Sequence, residues 1–305
     1  MSKKGEWTKE VNTTKNIIKN NEFVTKDGEI IELHDSVLEN MAMDIVNYKE
    51  VEEQKKRDIK QRFIEKEGFE KEIVDQLGNF YFSFYTKLPK IDKQYLFRFI
   101  YLSTYLKYND TKLAYKEDNG RYRLIKEFEL QELLKLKKTE YFNTKKALIE
   151  NNLIHIDNND NVCINKKVHV LGDMVKTKKE YTRIFKDAIR ELYNKSTPRE
   201  HKKLYIFYEL LPYINYNLNI ICSNINEVDP ELVEPLDLNF IIDNLYINKQ
   251  RSIAKKQLLN MTLGGEYLLL MVTKYNKNFF VVNPKLYYKG NRKEDLNYLV
   301  DLFRV

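Results

Sequence analysis

The side chains in this chain that could do chemistry are amides and cations rather than nucleophiles or metal ligands. Asn248, Lys249, Gln250, Arg251 and Ser252, followed by Lys255 and Lys256, form one dense polar set. Asn and Gln can pair with adenine through two hydrogen bonds, and Arg or Lys can do so with guanine. Lysines further along a helix are better placed to hold phosphate, which sets register without reading sequence. A sparser set comprises Lys138, Thr139, Asn143, Lys145 and Lys146. Beyond each set lie further cations that a hairpin could carry to phosphates or the minor groove. They are Lys166 and Lys167 after the first set, and Lys274, Lys277, Lys285, Lys289 and Arg292 after the second. Between the sets, Lys179, Arg183, Lys186 and Arg190 recur at helical spacing as a basic stripe.

Enzymatic patterns do not emerge. His34, His155, His169 and His201 are widely separated, so no His pair stands beside a Tyr as a rolling-circle nickase requires. The chain has no GxxxxGK[ST] phosphate cradle, and its carboxylates form no recognisable metal cluster. Cys163 and Cys222 sit among apolar residues and are expected to be buried thiols. No enzymatic activity, cofactor or metal is expected. The excess of 52 Lys+Arg over 45 Asp+Glu, a net charge of +7, favours a polyanionic partner. The polar start of the sequence lacks the apolar core of a signal peptide, and no run reaches membrane-spanning length. A cytoplasmic location without membrane contact is therefore expected.

Both polar sets fall at equivalent places in an internal repeat. Lys93–Phe97 (KQYLF) resembles Lys203–Phe207 (KLYIF), and Lys145–Ile149 (KKALI) resembles Lys255–Leu259 (KKQLL), each 110 positions on. Asn165 and Gly172 recur as Asn283 and Gly290, now 118 positions on, so eight extra residues enter the second copy after its last helix. A longer second hairpin would absorb them.

Each copy must then supply elements that position its set. In the first, apolar spacing predicts helices over 92–107 and 127–136, with a short strand at 122–124 between them. A third helix, with Thr139 as N-cap candidate, runs to about 152, followed by a hairpin of 153–156 and 162–164. The second copy repeats the order with helices at 200–213, 238–246 and 248–261, a strand at 220–222, and a hairpin of 267–272 and 279–282. Three helices and a hairpin are the winged-helix order. The expected fold is mainly α with small β wings: two tandem winged-helix domains, 88–175 and 198–293, joined by an amphipathic helix over 176–197. In that linker Tyr181, Phe185, Ala188 and Leu192 share one face. Residues 1–87 are read as a helix-rich region for dimerisation or partner binding, with a strand near 28–33. Residues 294–305 are read as a tail or short helix.

Two winged helices in one chain resemble the replication initiators of Firmicute plasmids and phages. The segment Phe279–Gly290, FFVVNPKLYYKG, is similar to the end of the wing in those proteins. The resemblance implies an origin-binding protein that contacts repeated double-stranded DNA, helps open AT-rich DNA and recruits host replication proteins. A homodimer is a further expected partner. A transcriptional regulator of a phage or mobile element, or a winged-helix scaffold for proteins, remain alternatives. The second copy, richer in amides and cations, is expected to dominate specificity.

Overall fold

The computed structural model describes residues 22–24, 30–32, 35–172, 180–245, 251–274 and 276–304. The chain divides into compact units of residues 1–68 and 69–305. In the first, β1 (Glu22–Val24) pairs antiparallel with β2 (Ile30–Glu32), placing a strand where the sequence predicts one near 28–33. Helix α1 (Asp35–Leu77) then runs 43 residues, about 65 Å at 1.5 Å per residue. It exposes Val51, Ile59 and Ile64 in its central turns. Its last turns belong to the second unit, where Ile73 and Leu77 are buried.

The second unit opens with β3 (Phe80–Ser83) and α2 (Lys93–Ser103), whose start is capped by Asp92 accepting from the backbone N–H of Gln94. Strands β4 (Ala114–Lys116) and β5 (Tyr122–Leu124) pair, then come α3 (Leu130–Leu133) and α4 (Lys138–Glu150). Hairpin strands β6 (Ile154–Ile156) and β7 (Val162–Ile164) lead to β8 (His169–Val170). Strand β9 (Thr182–Phe185) passes directly into α5 (Lys186–Lys195), followed by α6 (His201–Leu204) and α7 (Ile206–Glu209). Helices α8 (Leu238–Leu245) and α9 (Arg251–Leu259) precede the small hairpin β10 (Thr262–Leu263) and β11 (Glu266–Tyr267). A longer hairpin, β12 (Leu269–Lys274) and β13 (Lys277–Val282), is followed by β14 (Tyr287–Tyr288) and α10 (Lys293–Phe303). The result is helices with small antiparallel sheets.

One hydrogen-bond frame recurs in the two halves. Leu113 donates its N–H to Val162 O (2.9 Å), as Ile221 does to Phe280 O (2.8 Å). Ile125 donates to Leu113 O (2.9 Å), as Leu236 does to Ile221 O (3.0 Å). The side chain of Asn165 accepts from Lys167 N–H, and that of Asn283 from Lys285 N–H, both at 2.9 Å. Such buried main-chain groups must find partners, so a repeated pairing scheme reports a repeated fold more directly than matching apolar residues does.

The frame revises the sequence register. The first helices correspond at 108 positions rather than 110, with Leu96, Phe99 and Leu102 matched to Leu204, Phe207 and Leu210, all buried. The KQYLF and KLYIF resemblance misleads because Lys and aromatic residues recur along both helices. Later the offset is 110 at Leu148 and Leu258, 115 at Ile154 and Leu269, and 118 at Ile164 and Val282. Five of the eight extra residues therefore lie before β12, accommodated by β10 and β11, and only three lengthen the hairpin.

Between the halves sits a four-stranded antiparallel sheet in the order β14-β9-β3-β8. Phe84 N–H bonds Val168 O and Phe185 N–H bonds Leu286 O, so β3 corresponds to β9 and β8 to β14. With β3 and β9 adjacent and antiparallel, a local twofold axis passes between them. This corrects two expectations. Residues Thr182–Phe185, predicted within a linker helix over 176–197, form a strand that is buried throughout. A run of Thr, Arg, Ile and Phe is too short to separate period 2 from period 3.6, and burial on both faces favours the β-branched residues as strand. Strand β3, inside the N-terminal region bounded at residue 87, is a central strand of the same sheet, so the boundary falls before it. At the C-terminus α10 is a helix, with Leu296, Leu299, Val300 and Phe303 buried.

Candidate nucleic-acid interface

Helix α4 owes its orientation to a two-sided pattern. Tyr141, Thr144 and Leu148 turn inward, while Lys138, Thr139, Phe142, Asn143 and Lys146 form an exposed face. Spacings of three and four residues put these five on adjoining turns. Thr139 does not cap the helix: the helix already begins at Lys138, with Lys137 in the cap position and no side-chain cap bond. Phe142, about half exposed, was not singled out by type, although its i+4 relation to Lys138 and Lys146 places it on their face. An aromatic edge there can meet a thymine methyl.

The helix is held from behind by Arg98, a completely buried cation on α2. Arg98 donates to Thr144 Oγ1 (2.7 Å), to the Glu140 carboxylate and to His201 Nδ1 (3.2 Å). Burial, with the adjacent Arg98 charge, holds His201 down to about 3, so its ring is neutral and can accept this bond. One guanidinium thus joins α2, α4 and the start of α6.

Lys145 points away from the exposed face. It ion-pairs with Glu127 and packs against the rings of Tyr141 and Phe142. The predicted phosphate anchor is therefore a partly buried brace, whereas Lys146 is well exposed, with a 3.8 Å contact to Glu150 one turn on.

In the second half, Ser252, Lys255 and Lys256 are exposed on α9. Ser252 and Lys256 match Phe142 and Lys146 on the outward face of α4, whereas Lys255 is exposed where its counterpart Lys145 is paired. Helix α9 begins at Arg251, whose side chain lies outside the described residues, as do Asn248, Lys249, Gln250 and Lys179. Ile253, exposed on α9, occupies the position matching Asn143 and was not anticipated as a surface residue.

The two hairpins differ in charge. The β6–β7 turn carries Asp157 and Asp160, and Asp157 is held down to about 2 by hydrogen bonds from the Asn161 side chain and the backbone of Asn161 and Asn159. Lys166 and Lys167 are exposed, but on the turn beyond β7, where Asn165 Nδ2 bonds Asn152 O. That is beside the C-terminal end of α4, not at the hairpin tip. The β12–β13 hairpin is longer and bears Lys274 opposite Lys277 at its end. Both are exposed, and Lys277 also donates to the carbonyls of Glu231 and Val233 at 3.3 Å.

Several expected contacts are overturned. Arg183 is buried in β9, donating to Gly290 O (2.9 Å) and Lys289 O (3.4 Å) between the rings of Phe69 and Phe80. Lys289 is itself buried, donating to Leu211 O and Tyr85 Oη. For Arg183 and Lys289, expected at phosphates, the crowded sheet instead offers carbonyl and aromatic partners that offset their burial. Lys285 and Arg292 stay partly exposed, paired with Glu266 and Asp295. Cys163 and Cys222 are buried free thiols. No group of His, Cys, Asp and Glu suited to a metal occurs among the described residues.

Comparison with family models, curated proteins and solved structures finds no significant match. Among the described residues no helix is long and apolar enough to cross a membrane.

Proposed function

We propose that the chain is a double-stranded-DNA-binding protein built from two winged-helix copies, with α4 and α9 as the helices that enter the major groove. One observation carries this reading: helices with exposed polar and basic faces occur at corresponding places in a hydrogen-bond frame that is repeated in the two halves. Lys146, Lys255 and Lys256 are the phosphate contacts, and Asn143, Ser252 and the residues preceding α9 read bases. The acidic β6–β7 turn is repelled by phosphate, whereas the lysine-bearing β12–β13 hairpin is attracted. The first copy therefore binds by its helix and the second by helix and hairpin.

In this reading the local twofold between β3 and β9 gives the copies opposite senses, so each repeated binding site is an inverted pair of half-sites. Origin binding at the start of plasmid or phage replication is the role this arrangement and the initiator-like segment Phe279–Gly290 support. No catalytic step is assigned. Footprinting of the full chain on DNA flanking its own gene tests the reading. Tandem protected repeats beside an AT-rich stretch are expected; a single protected operator over a promoter would transfer the role to transcription. Absence of specific, salt-dependent protection would refute DNA binding.

A further inference from the structure

The twofold axis relates two clefts that have diverged in charge. In the larger, about 340 Å³, Asn79 and Phe80 meet Leu106, Tyr108 and Lys186. In the smaller, about 190 Å³, Glu180 and Tyr181 meet Ile214, Tyr216 and Tyr85. The correspondences follow the offsets of the repeat: Asn79 with Glu180 and Phe80 with Tyr181, then Leu106 with Ile214 and Tyr108 with Tyr216.

The smaller cleft is internally neutralised. Lys289 donates to Tyr85 Oη at 3.1 Å, and Tyr85 donates to Glu180 Oε2 at 2.9 Å. In the larger cleft the position of Glu180 is taken by neutral Asn79, and among the described residues Lys186, Arg190 and Lys116 converge there against one lining carboxylate, Asp187. Lys186 Nζ donates to the carbonyl of Leu106, at 3.4 Å. Arg190 is fixed by Thr104 Oγ1 (3.0 Å) and Thr104 O (2.9 Å), with Tyr105 stacked on it at 4.4 Å. Burial and the neighbouring Arg190 charge hold Lys186 down to about 8, against the opposing effect of Asp187. Exposed Tyr108 and Tyr122 stand at the rim. The volume lies in the range of roughly 300–1,000 Å³ usual for small-ligand pockets, and the smaller cleft falls below it.

We propose that the larger cleft binds a nucleotide, with its phosphate on Lys186, Arg190 and Lys116 and its base against Tyr108 and Tyr122. The surplus of cations over the single lining carboxylate selects the phosphate, and exposed rings offer a stacking surface indifferent to base identity. The exposed face of α4 does not line this cleft, so the site stands independently of duplex binding.

Calorimetric titration of the full chain with thymidine monophosphate, adenosine monophosphate, a 5′-phosphorylated thymidine tetranucleotide and inorganic phosphate tests it. At least one nucleotide probe is expected to bind tenfold or more tightly than phosphate. Asn79→Glu, which supplies the carboxylate found in the smaller cleft, and Lys116→Ala should each weaken that binding tenfold or more. Both positions are exposed, so the thermal midpoint should not move. Equal binding of monophosphates and tetranucleotide identifies a free nucleotide as ligand; binding of the tetranucleotide alone identifies a nucleotide within a single strand. No binding, phosphate binding as tightly as any nucleotide, or unaltered affinity in folded Asn79→Glu and Lys116→Ala would overturn the proposal.

Discussion

Replacing Arg98 with Met removes a buried charge while keeping much of its length. Three side chains lose their donor, Thr144 Oγ1, the Glu140 carboxylate and His201 Nδ1, as does the carbonyl of Pro198 at a long 3.4 Å. Hydrogen bonds to charged groups contribute about 1.5–3 kcal/mol each, so a naive total over the three side chains is about 4.5–9 kcal/mol. Two effects reduce it. Glu140 is about one-third exposed and can be rehydrated, and Met avoids the cost of dehydrating a guanidinium. A loss of about 3–4 kcal/mol remains, a large part of the roughly 5–15 kcal/mol that holds a typical protein folded. At about 2–4 °C per kcal/mol for a unit of this size, the thermal midpoint should fall by roughly 6–16 °C. Calorimetric unfolding at neutral pH measures it. Arg98→Lys, which can keep the Glu140 pair but not the planar fork, should fall between wild type and Arg98→Met. A shift below about 2 °C for Arg98→Met would show that Arg98 fills space rather than ties α4 to α2 and α6.

Stability should also fall with acid below pH 6.5. His169 and His201 are both held down to about 3, chiefly by burial, so between these values the unfolded chain binds protons that the folded chain refuses. Their stabilisation is complete above the unfolded pKa of about 6.5 and declines as pH falls towards 3; at pH 5 each should cost about 2 kcal/mol, read as a falling urea midpoint. An unchanged midpoint from pH 7 to 5 would contradict their neutral burial. Gly172→Ala should lose about 2–4 kcal/mol, because φ is +124° and a Cβ would lie 2.9 Å from Asn109 N. Gly290→Ala should lose about 1–3 kcal/mol from a Cβ 2.5 Å from Tyr288 Cζ; thermal melts check both, and wild-type midpoints would refute the crowding. Lys146→Ala should lower duplex affinity and reduce the salt slope by about 0.9. Lys145→Ala should leave that slope unchanged and cost about 1 kcal/mol of stability, and the opposite pattern in filter binding would reverse their assigned roles.

The longer helices and the β12–β13 hairpin were legible in the sequence because each carries enough residues for its period to show. The three-residue strands β6 and β7 were marked by the Asn/Asp-rich turn between them. Helix α4 has three inward positions at spacings of three and four, and the β12–β13 hairpin has six paired residues per strand. The central sheet was not legible, because its strands are two to four residues long and come from four distant segments. Its burial also hides the meaning of charge. Arg183 reads as one member of a basic stripe until β3 and β14 enclose it, and Lys145 looks equivalent to Lys146 until Glu127 is placed opposite it. Among the candidate surface residues, Lys138, Thr139, Asn143 and Lys146 could be chosen by helical spacing, but Phe142 was passed over because an aromatic residue suggests core.

The spacing between the two copies is set by pairings made within the segment that was expected to act as a spacer and just beyond it. Strand β9 pairs with β3 over four residues, and Arg98 on α2 bonds His201 at the start of α6. Helix α5 adds a third tie, through Arg190 to Thr104 and Lys186 to Leu106. Lengthening the chain between β8 and β9 would leave all three ties intact, so the copies would keep their relative orientation. Under the proposed function, DNA half-site spacing is then a property of the sheet and the Arg98 bridge. A rigid pair gains its second contact without a further loss of orientational freedom, and it cannot follow half-sites moved by even a few base pairs.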